Sequence, residues 1–248
     1  MNSGRRTAIV VGLLFVAATV GSILGGVVLG SALDGRDYLV GLASHESQVI
    51  VATLLFLVAS TSIVGTAFLL FPFLRRHAEG LAIAYVGLRA VEAVFFVAGT
   101  VALLSMLTVS QSDTARTANA TELSLLGAAL TALREWSGVI GPGIFFALGS
   151  LTLNYVLFQS RLVPRWLSLF GLGGAALGLF FGLVGILGWG SGLSSPYALL
   201  AIPIAVQEMV FAAWLILKGF DLRGQAPELR VGMTRAAATV TQKPQPTA

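Results

Sequence analysis

Apolar residues run along this chain in six long stretches, separated by shorter segments that carry most of the charged residues. Each stretch is long enough for a helix to cross about 30 Å of hydrocarbon at roughly 1.5 Å per residue. A soluble chain of this length cannot bury six helices that are apolar on every face. The pattern therefore predicts an all-α, polytopic membrane protein whose single domain, residues 1–220, is a bundle of six transmembrane helices. The predicted spans are about 7–33, 47–74, 81–109, 136–159, 166–190 and 197–217.

Composition agrees with this class and excludes several others. Charged residues make up 10% of the chain and apolar residues 56%, whereas soluble domains carry about 25% charged residues. The net charge of +4 fits attraction to an anionic lipid surface and does not imply nucleic acid. The chain has no cysteine, and its two histidines, His45 and His77, fall at opposite ends of the second span. We therefore expect no metal site and no cofactor, with the lipid bilayer as the main partner.

The distribution of Lys and Arg predicts the orientation, because positive charge is retained on the cytoplasmic side. Eleven of the fifteen basic residues fall at the N-terminus, in the second and fourth connections, and after the last span. The other three connections hold only Arg36, Arg116 and Arg134, and the remaining basic residue is Arg89. Both termini are therefore expected to be cytoplasmic.

Two segments outside the spans differ from the tight turns elsewhere. Residues 110–135 form a long outward connection with a weakly amphipathic stretch, which we interpret either as a connector resting on the headgroups or as a lid. Residues 221–248 are rich in Ala, Thr, Pro and Gln, with few large apolar residues. Such a composition cannot bury enough surface to fold, so we expect a disordered cytoplasmic tail.

Glycines at four-residue spacing mark the first and fifth spans, where they allow helix backbones to approach closely. Gly21 and Gly25 lie in the first, and Gly174, Gly178 and Gly182 in the fifth. Packing within the bundle is the favoured interpretation. An oligomer formed through these two helices is the alternative.

Three charged residues interrupt the apolar stretches and are the candidate ligand- or proton-binding residues: Arg89, Glu92 and Glu208. A charge at the bilayer centre costs at least about 2.5 kcal/mol, so such residues face inward and find partners. Arg89 and Glu208 both lie about 15 Å from the predicted cytoplasmic boundary. Glu92 follows Arg89 by three residues and therefore shares its helix face. If the third and sixth helices touch, Arg89 meets both carboxyl groups.

One guanidinium facing two carboxylates leaves a net charge of −1 in a low-dielectric space. Arginine stays protonated, so the balance requires either a proton on Glu92 or Glu208 or a cationic ligand. Tyr85 and Phe96 are predicted on the same face of the third helix, and Asn154 and Gln207 are candidates for further polar contacts. A buried ion pair that only fixes helix register is the structural alternative.

Two prolines and a short repeated pattern bear on the arrangement of the helices. Pro203 is expected to bend the sixth helix one turn before Glu208, and Pro142 gives a second break. The pattern E-x-V-F begins at Glu92 and again at Glu208. It occurs in the third helix of each half of the bundle, as in an inverted-topology repeat with its site at the interface. A chance match in an apolar alphabet is the alternative.

Three segments resemble a bacterial family of multi-pass membrane proteins known as domain of unknown function 4386. They are Phe71–Arg76 at the end of the second span, Ala82–Glu92 in the third, and Glu208–Phe220 at the end of the last. The resemblance covers about residues 5–220, and its most specific element is Arg89-x-x-Glu92. It implies the six-helix fold and a bacterial cytoplasmic (inner) membrane, but no activity.

Three functions remain open from the sequence. The first is binding or transport of a small lipophilic or cationic molecule, coupled to protons through Glu92 and Glu208. The second is an intramembrane acid–base enzyme, such as an isomerase or cyclase, acting on a lipid or isoprenoid. The third is a non-catalytic membrane subunit that stabilises another protein.

Overall fold

A computed structural model describes residues 3–33, 38–112, 120–188, 199 and 202–221. Most of these residues are helical. The long helices are α1 (Ser3–Leu29), α2 (Glu46–Leu74), α3 (Glu79–Gln111), α4 (Ala120–Gly138), α5 (Phe146–Ser160), α6 (Arg165–Ile186) and α7 (Ile202–Leu217). A π-helical segment, Val139–Phe145, joins α4 to α5, and the short turns Gly30–Leu33, Tyr38–Gly41 and Leu42–His45 lie between α1 and α2.

Five helical segments are long and apolar enough to cross a membrane, and α7, with 16 residues, is a shorter apolar helix. In an 18-residue apolar stretch of each of the five long segments, only 33–39% of the residues are buried inside the protein. The other apolar side chains point outward, as large exposed side chains such as Val27, Phe68 and Val94 show. Soluble monomers rarely expose apolar surface on this scale. The structure is therefore consistent with a multi-pass membrane protein.

The fourth span differs most from its predicted bounds. Its helix begins at Ala120 and runs without interruption through the π-helical segment to Ser160. Residues 121–160 of this helix are long and apolar enough to cross a membrane. Arg134 and Glu135 therefore lie inside a helix that packs on α3, not in a connection. Their charge suggested a loop, but a long helix accommodates polar residues on its inward face. Residues 113–119, most of 189–201 and the predicted tail beyond Asp221 fall outside the described residues.

The helices form a ring in chain order. Each of α1, α2 and α3 packs on the next, α3 packs on the α4–π–α5 span, and that span packs on α6. The helix α7 packs on α6 and on α1, which closes the ring. In the described part of the chain, α3 and α7 are therefore not packed neighbours, which answers a question that the sequence left open for the third and sixth spans.

This ring order also excludes the inverted repeat. A two-fold axis in the membrane plane reverses the direction in which helices progress around a bundle, so one half would run clockwise and the other anticlockwise. Here both halves progress in the same direction. The E-x-V-F pattern is accordingly a chance match.

One end of the ring is closed by apolar packing and by Arg5. We call it the basic end, because Arg5, Arg75, Arg161, Arg165 and Lys218 lie at or next to the helix termini there. The Arg5 guanidinium donates hydrogen bonds of 2.6–3.0 Å to the last three carbonyls of α7. These carbonyls accept no hydrogen bond within the helix, so Arg5 caps α7 and links it to α1. A buried apolar cluster drawn from all six spans fills the same half of the bundle.

The glycines noted in α1 and α6 face neighbouring helices of the same chain. A Cβ on Gly21 would lie 2.9 Å from the Leu55 carbonyl oxygen, and one on Gly25 would meet the Phe56 ring. On α6, a Cβ on Gly174 would lie 2.9 Å from the Ile204 backbone nitrogen at the start of α7. These glycines pack within the bundle, as favoured from the sequence. An oligomer through the same helices stays a prediction.

Gly173 and Gly174 offer a matched test of this packing. An Ala at Gly174 must push the α7 backbone away, and we expect it to lower stability by about 1–3 kcal/mol. A Cβ on Gly173 meets nothing within 4 Å, so Gly173→Ala is expected to be neutral or to stabilise by up to about 1 kcal/mol through helix propensity. Thermal unfolding of both variants in detergent, followed by tryptophan fluorescence, measures the difference. Equal melting temperatures would contradict the close approach of α6 and α7.

Pro203 does not break a helix in the described structure. It is the second residue of α7, where the backbone amides have no partner within the helix and a missing N–H costs nothing. No described helical turn precedes Pro203, so the bend before Glu208 stays a prediction. Pro203 instead belongs to the segment that packs closely on Gly174.

Candidate functional site

Arg89 and Glu92 form a buried ion pair on α3. Their side chains are 3% and 4% exposed, and Arg89 Nη1 lies 2.9 Å from Glu92 Oε2. The spacing of three residues places both side chains on one helix face, which confirms the pairing suggested by the sequence. The contact is electrostatic and leaves hydrogen-bonding capacity unused, because Arg89 Nε and Glu92 Oε2 have no partner with hydrogen-bond geometry among the described residues.

The fourth span provides the surroundings of Arg89. The guanidinium lies over the Phe146 ring, with its central carbon 5.4 Å from the ring centroid. A Cβ on Gly149 would come within 3.2 Å of Arg89 Cδ, so the glycine leaves room for the arginine stem. A cation over an aromatic face is stabilised by the ring quadrupole. Arg89 is thus held by one carboxylate and one aromatic ring on two different spans.

Glu208 has a different environment from Glu92. It lies close enough to Arg89 and Glu92 to interact with both electrostatically. It is only half-buried, however, and forms no ion pair or hydrogen bond with any described residue. The condition under which Arg89 would contact both carboxyl groups does not hold, because the ring order separates α7 from α3, and Arg89 pairs with Glu92. The Glu208 side chain instead lines a cavity.

The cavity has a volume of about 710 Å³ and lies in the middle of the ring. Every span contributes to its wall; Ser22, Phe56, Phe96, Phe146, Phe181 and Glu208 each come from a different one. Most lining residues lie in the half of the bundle away from the basic end. Its size falls within the range of sites for drug-sized ligands, which are mostly apolar with a few placed polar groups. The cavity is thus an aromatic chamber with the free Glu208 carboxyl in its wall.

Residues 10–219 match the family model described as domain of unknown function 4386. The chain belongs to this family. No curated protein and no solved structure matches the chain. Membership of the 4386 family therefore confirms the resemblance seen in the sequence, and the function has to be argued from the site itself.

A π-helical segment shapes the cavity in this member of the 4386 family. Pro142 has no N–H to donate, and the Phe146 amide donates to the Gly141 carbonyl five residues back. Such bulges are frequent at functional sites because they reorient neighbouring side chains. A Cβ on Gly141 would lie 2.6 Å from Phe95 Cβ, so this glycine lets α3 approach the bulge. Pro142 thus lies in a π-helical bulge of a continuous helix and not in a break, and Phe146 at the end of the bulge contacts both Arg89 and the cavity.

The supporting residues predicted from the sequence fall into two groups. Phe96 lines the cavity and packs edge-to-face against Phe56 with ring centroids 5.8 Å apart. Asn154 and Gln207 are buried and bond to each other, with Gln207 Nε2 donating to Asn154 Oδ1 at 3.1 Å. Tyr85 belongs to the apolar cluster at the basic end, and its buried hydroxyl has no hydrogen-bond partner in the described part of the chain.

Several cavity residues escaped the sequence analysis. Arg134 and Glu135 were assigned to a connection, yet both line the cavity, as does Gly138 one turn further along α4. Phe146 and Phe181 carry no local signal that separates them from lipid-facing phenylalanines. Only Gly141 and Gly149 in the fourth span are a local signal of close packing on its inner side.

Proposed function

We propose that the protein binds a small lipophilic cation in the central cavity, with Glu208 as the counter-charge. The observation that carries the proposal is the free Glu208 carboxyl in a chamber with several phenylalanine rings. Aromatic faces and a carboxylate both attract a cation, and the attraction is strong where water is scarce. The apolar wall favours a ligand with an apolar body.

The proposal includes an exchange of ligand and proton. When no cation is bound, a proton neutralises the Glu208 carboxylate; when a cation binds, the proton leaves. Arg89 and Glu92 balance one another and keep the charge at the site fixed apart from Glu208. Such an exchange of ligand and proton is the elementary step of proton-coupled transport.

The orientation follows from the basic end. Positive charge is retained in the cytoplasm, so we place the basic end and both termini on the cytoplasmic side of a bacterial inner membrane. The packed half of the bundle then faces the cytoplasm, and the cavity lies in the half towards the outside. A ligand from outside would have the shorter path to Glu208.

The acid–base enzyme is less well supported by this geometry. A donor and an acceptor both have to reach the substrate, whereas Glu92 is paired with Arg89 and does not line the cavity. Of the two carboxyl groups among the described lining residues, Glu135 is exposed and only Glu208 is half-buried. One half-buried carboxyl suits binding of a cation better than a two-group reaction. The subunit function has no particular surface feature in its favour.

The test is binding of tetraphenylphosphonium to the purified protein, measured by titration calorimetry. Glu208→Gln removes the charge and keeps the shape, and we expect affinity to fall about tenfold to a hundredfold, the usual cost of a lost charged partner. Glu79→Gln is the matched control, because Glu79 is exposed at the start of α3. In weakly buffered solution, binding should release a proton in the wild type and none in Glu208→Gln. Unchanged affinity in Glu208→Gln would overturn the proposal.

A further inference from the structure

A second charged side chain that forms no ion pair with any described residue lines the same cavity. Arg134 on α4 is half-buried and forms no ion pair or hydrogen bond with any residue in the described part of the chain. Five N–H donors on a partly desolvated guanidinium are costly to leave unpaired. Neither the proposed function nor the packing of α4 on α3 uses this charge.

Arg134 and Glu208 lie at different depths in the chamber. Gly99 on α3 faces Arg134. A Cβ added at Gly99 would lie 3.6 Å from the Arg134 carbonyl oxygen. Arg89, ten residues earlier on α3, interacts electrostatically with Glu208. Ten residues of α-helix span about 15 Å. The cavity therefore carries a guanidinium and a carboxyl at different depths, and several phenylalanine side chains line the same wall.

Glu135 interacts electrostatically with Arg134 but forms no ion pair with it. It also lines the cavity but is exposed, and adjacent positions on a helix do not face one another. No ion pair joins the two residues among those described. Water screens an exposed carboxylate more than a partly buried guanidinium. The part of the cavity that Arg134 lines therefore still attracts an oxyanion.

Resting on the proposed function, we infer that the natural ligand is a bipolar amphiphile. Its cationic group pairs with Glu208, its apolar chain or rings fill the chamber, and an oxyanion, carboxylate or phosphate, pairs with Arg134. A planar guanidinium binds such groups through two parallel hydrogen bonds. Arg134 thus selects the acidic end of the ligand, while Glu208 selects the basic end.

Three probes of one chain length separate the two ends: undecylamine, undecanoic acid and 11-aminoundecanoic acid. Each is titrated by displacement of tetraphenylphosphonium from the full-length protein. The informative quantity is the affinity of the amino acid relative to the amine, because both share the chain and the ammonium group. We expect Arg134→Gln to lower this ratio about tenfold and to leave the affinity for the amine unchanged. Arg134→Lys keeps the charge and should retain most of the ratio.

The controls distinguish failure of this inference from failure of the proposed function. Glu208→Gln should weaken the amine and the amino acid alike, and Glu135→Gln should not lower the ratio. If the affinity of 11-aminoundecanoic acid relative to undecylamine is the same in the wild type and in Arg134→Gln, the inference of a bipolar ligand is wrong, but the proposed cation site is unaffected. If Glu208→Gln binds undecylamine as tightly as the wild type does, the cation site itself is wrong.

Discussion

Glu92→Gln is expected to lower the stability of the protein by about 3–5 kcal/mol, the cost of leaving one member of a buried ion pair without its partner. Glutamine has nearly the shape of glutamate, so the effect isolates the charge. Arg89 cannot lose its proton, and it cannot turn to water because it is 2% exposed. Equilibrium unfolding of the purified protein, followed by tryptophan fluorescence, measures the loss.

Two further variants sharpen this prediction. The double variant Arg89→Met, Glu92→Leu removes both charges and should recover most of the stability, because apolar replacements of a buried pair are often neutral. Glu208→Gln should unfold like the wild type, since Glu208 lines a cavity and has no ion-pair partner among the described residues. If Glu92→Gln and Glu208→Gln are equally stable, the distinction between a structural and a ligand-binding carboxyl fails.

Filling the cavity at Gly138 is expected to abolish ligand binding without unfolding the protein. Gly138 lines the cavity with ordinary helical backbone angles, and a Cβ there meets nothing within 4 Å. The series Gly138→Ala, Gly138→Leu and Gly138→Phe should weaken tetraphenylphosphonium binding stepwise, by about a hundredfold at Phe because the ring takes the ligand's place. Stability should be unchanged or rise by up to about 1 kcal/mol, since glycine is a poor helix former.

Gly87→Phe is the control for this series. Gly87 lies on α3, where a Cβ would also meet nothing within 4 Å, but it does not line the cavity. The variant should bind the probe like the wild type. Wild-type affinity in Gly138→Phe would mean that the probe binds elsewhere and that the central chamber is not the site.

Much of the fold was readable from the sequence because a bilayer imposes a simple rule on composition. Long apolar stretches predicted the helices, and the cost of a buried charge singled out Arg89, Glu92 and Glu208. The Arg89–Glu92 pair could also be predicted, because three-residue spacing fixes a helix face. These conclusions depend on properties local to one helix.

Properties shared between helices were not readable in the same way. The sequence has no signal for which helices are neighbours, so contact between α3 and α7 could only be posed as a condition. Phe146 and Gly149 lie far along the chain from Arg89, and only the tertiary structure brings them together. Arg134 was misplaced because a charge near the end of an apolar stretch has the same appearance in a loop and in a helix lining a cavity.

The ring order has a consequence for how the molecule is made. Synthesis and insertion proceed from the N-terminus, so every helix up to α6 finds its preceding neighbour already in the bilayer. Only α7 has to join two partners at once, the one just made and the first, and Arg5 receives its carbonyl acceptors at that moment. The chamber and its carboxyl therefore do not exist on the nascent chain. They appear in a single closing event, when the last helix arrives.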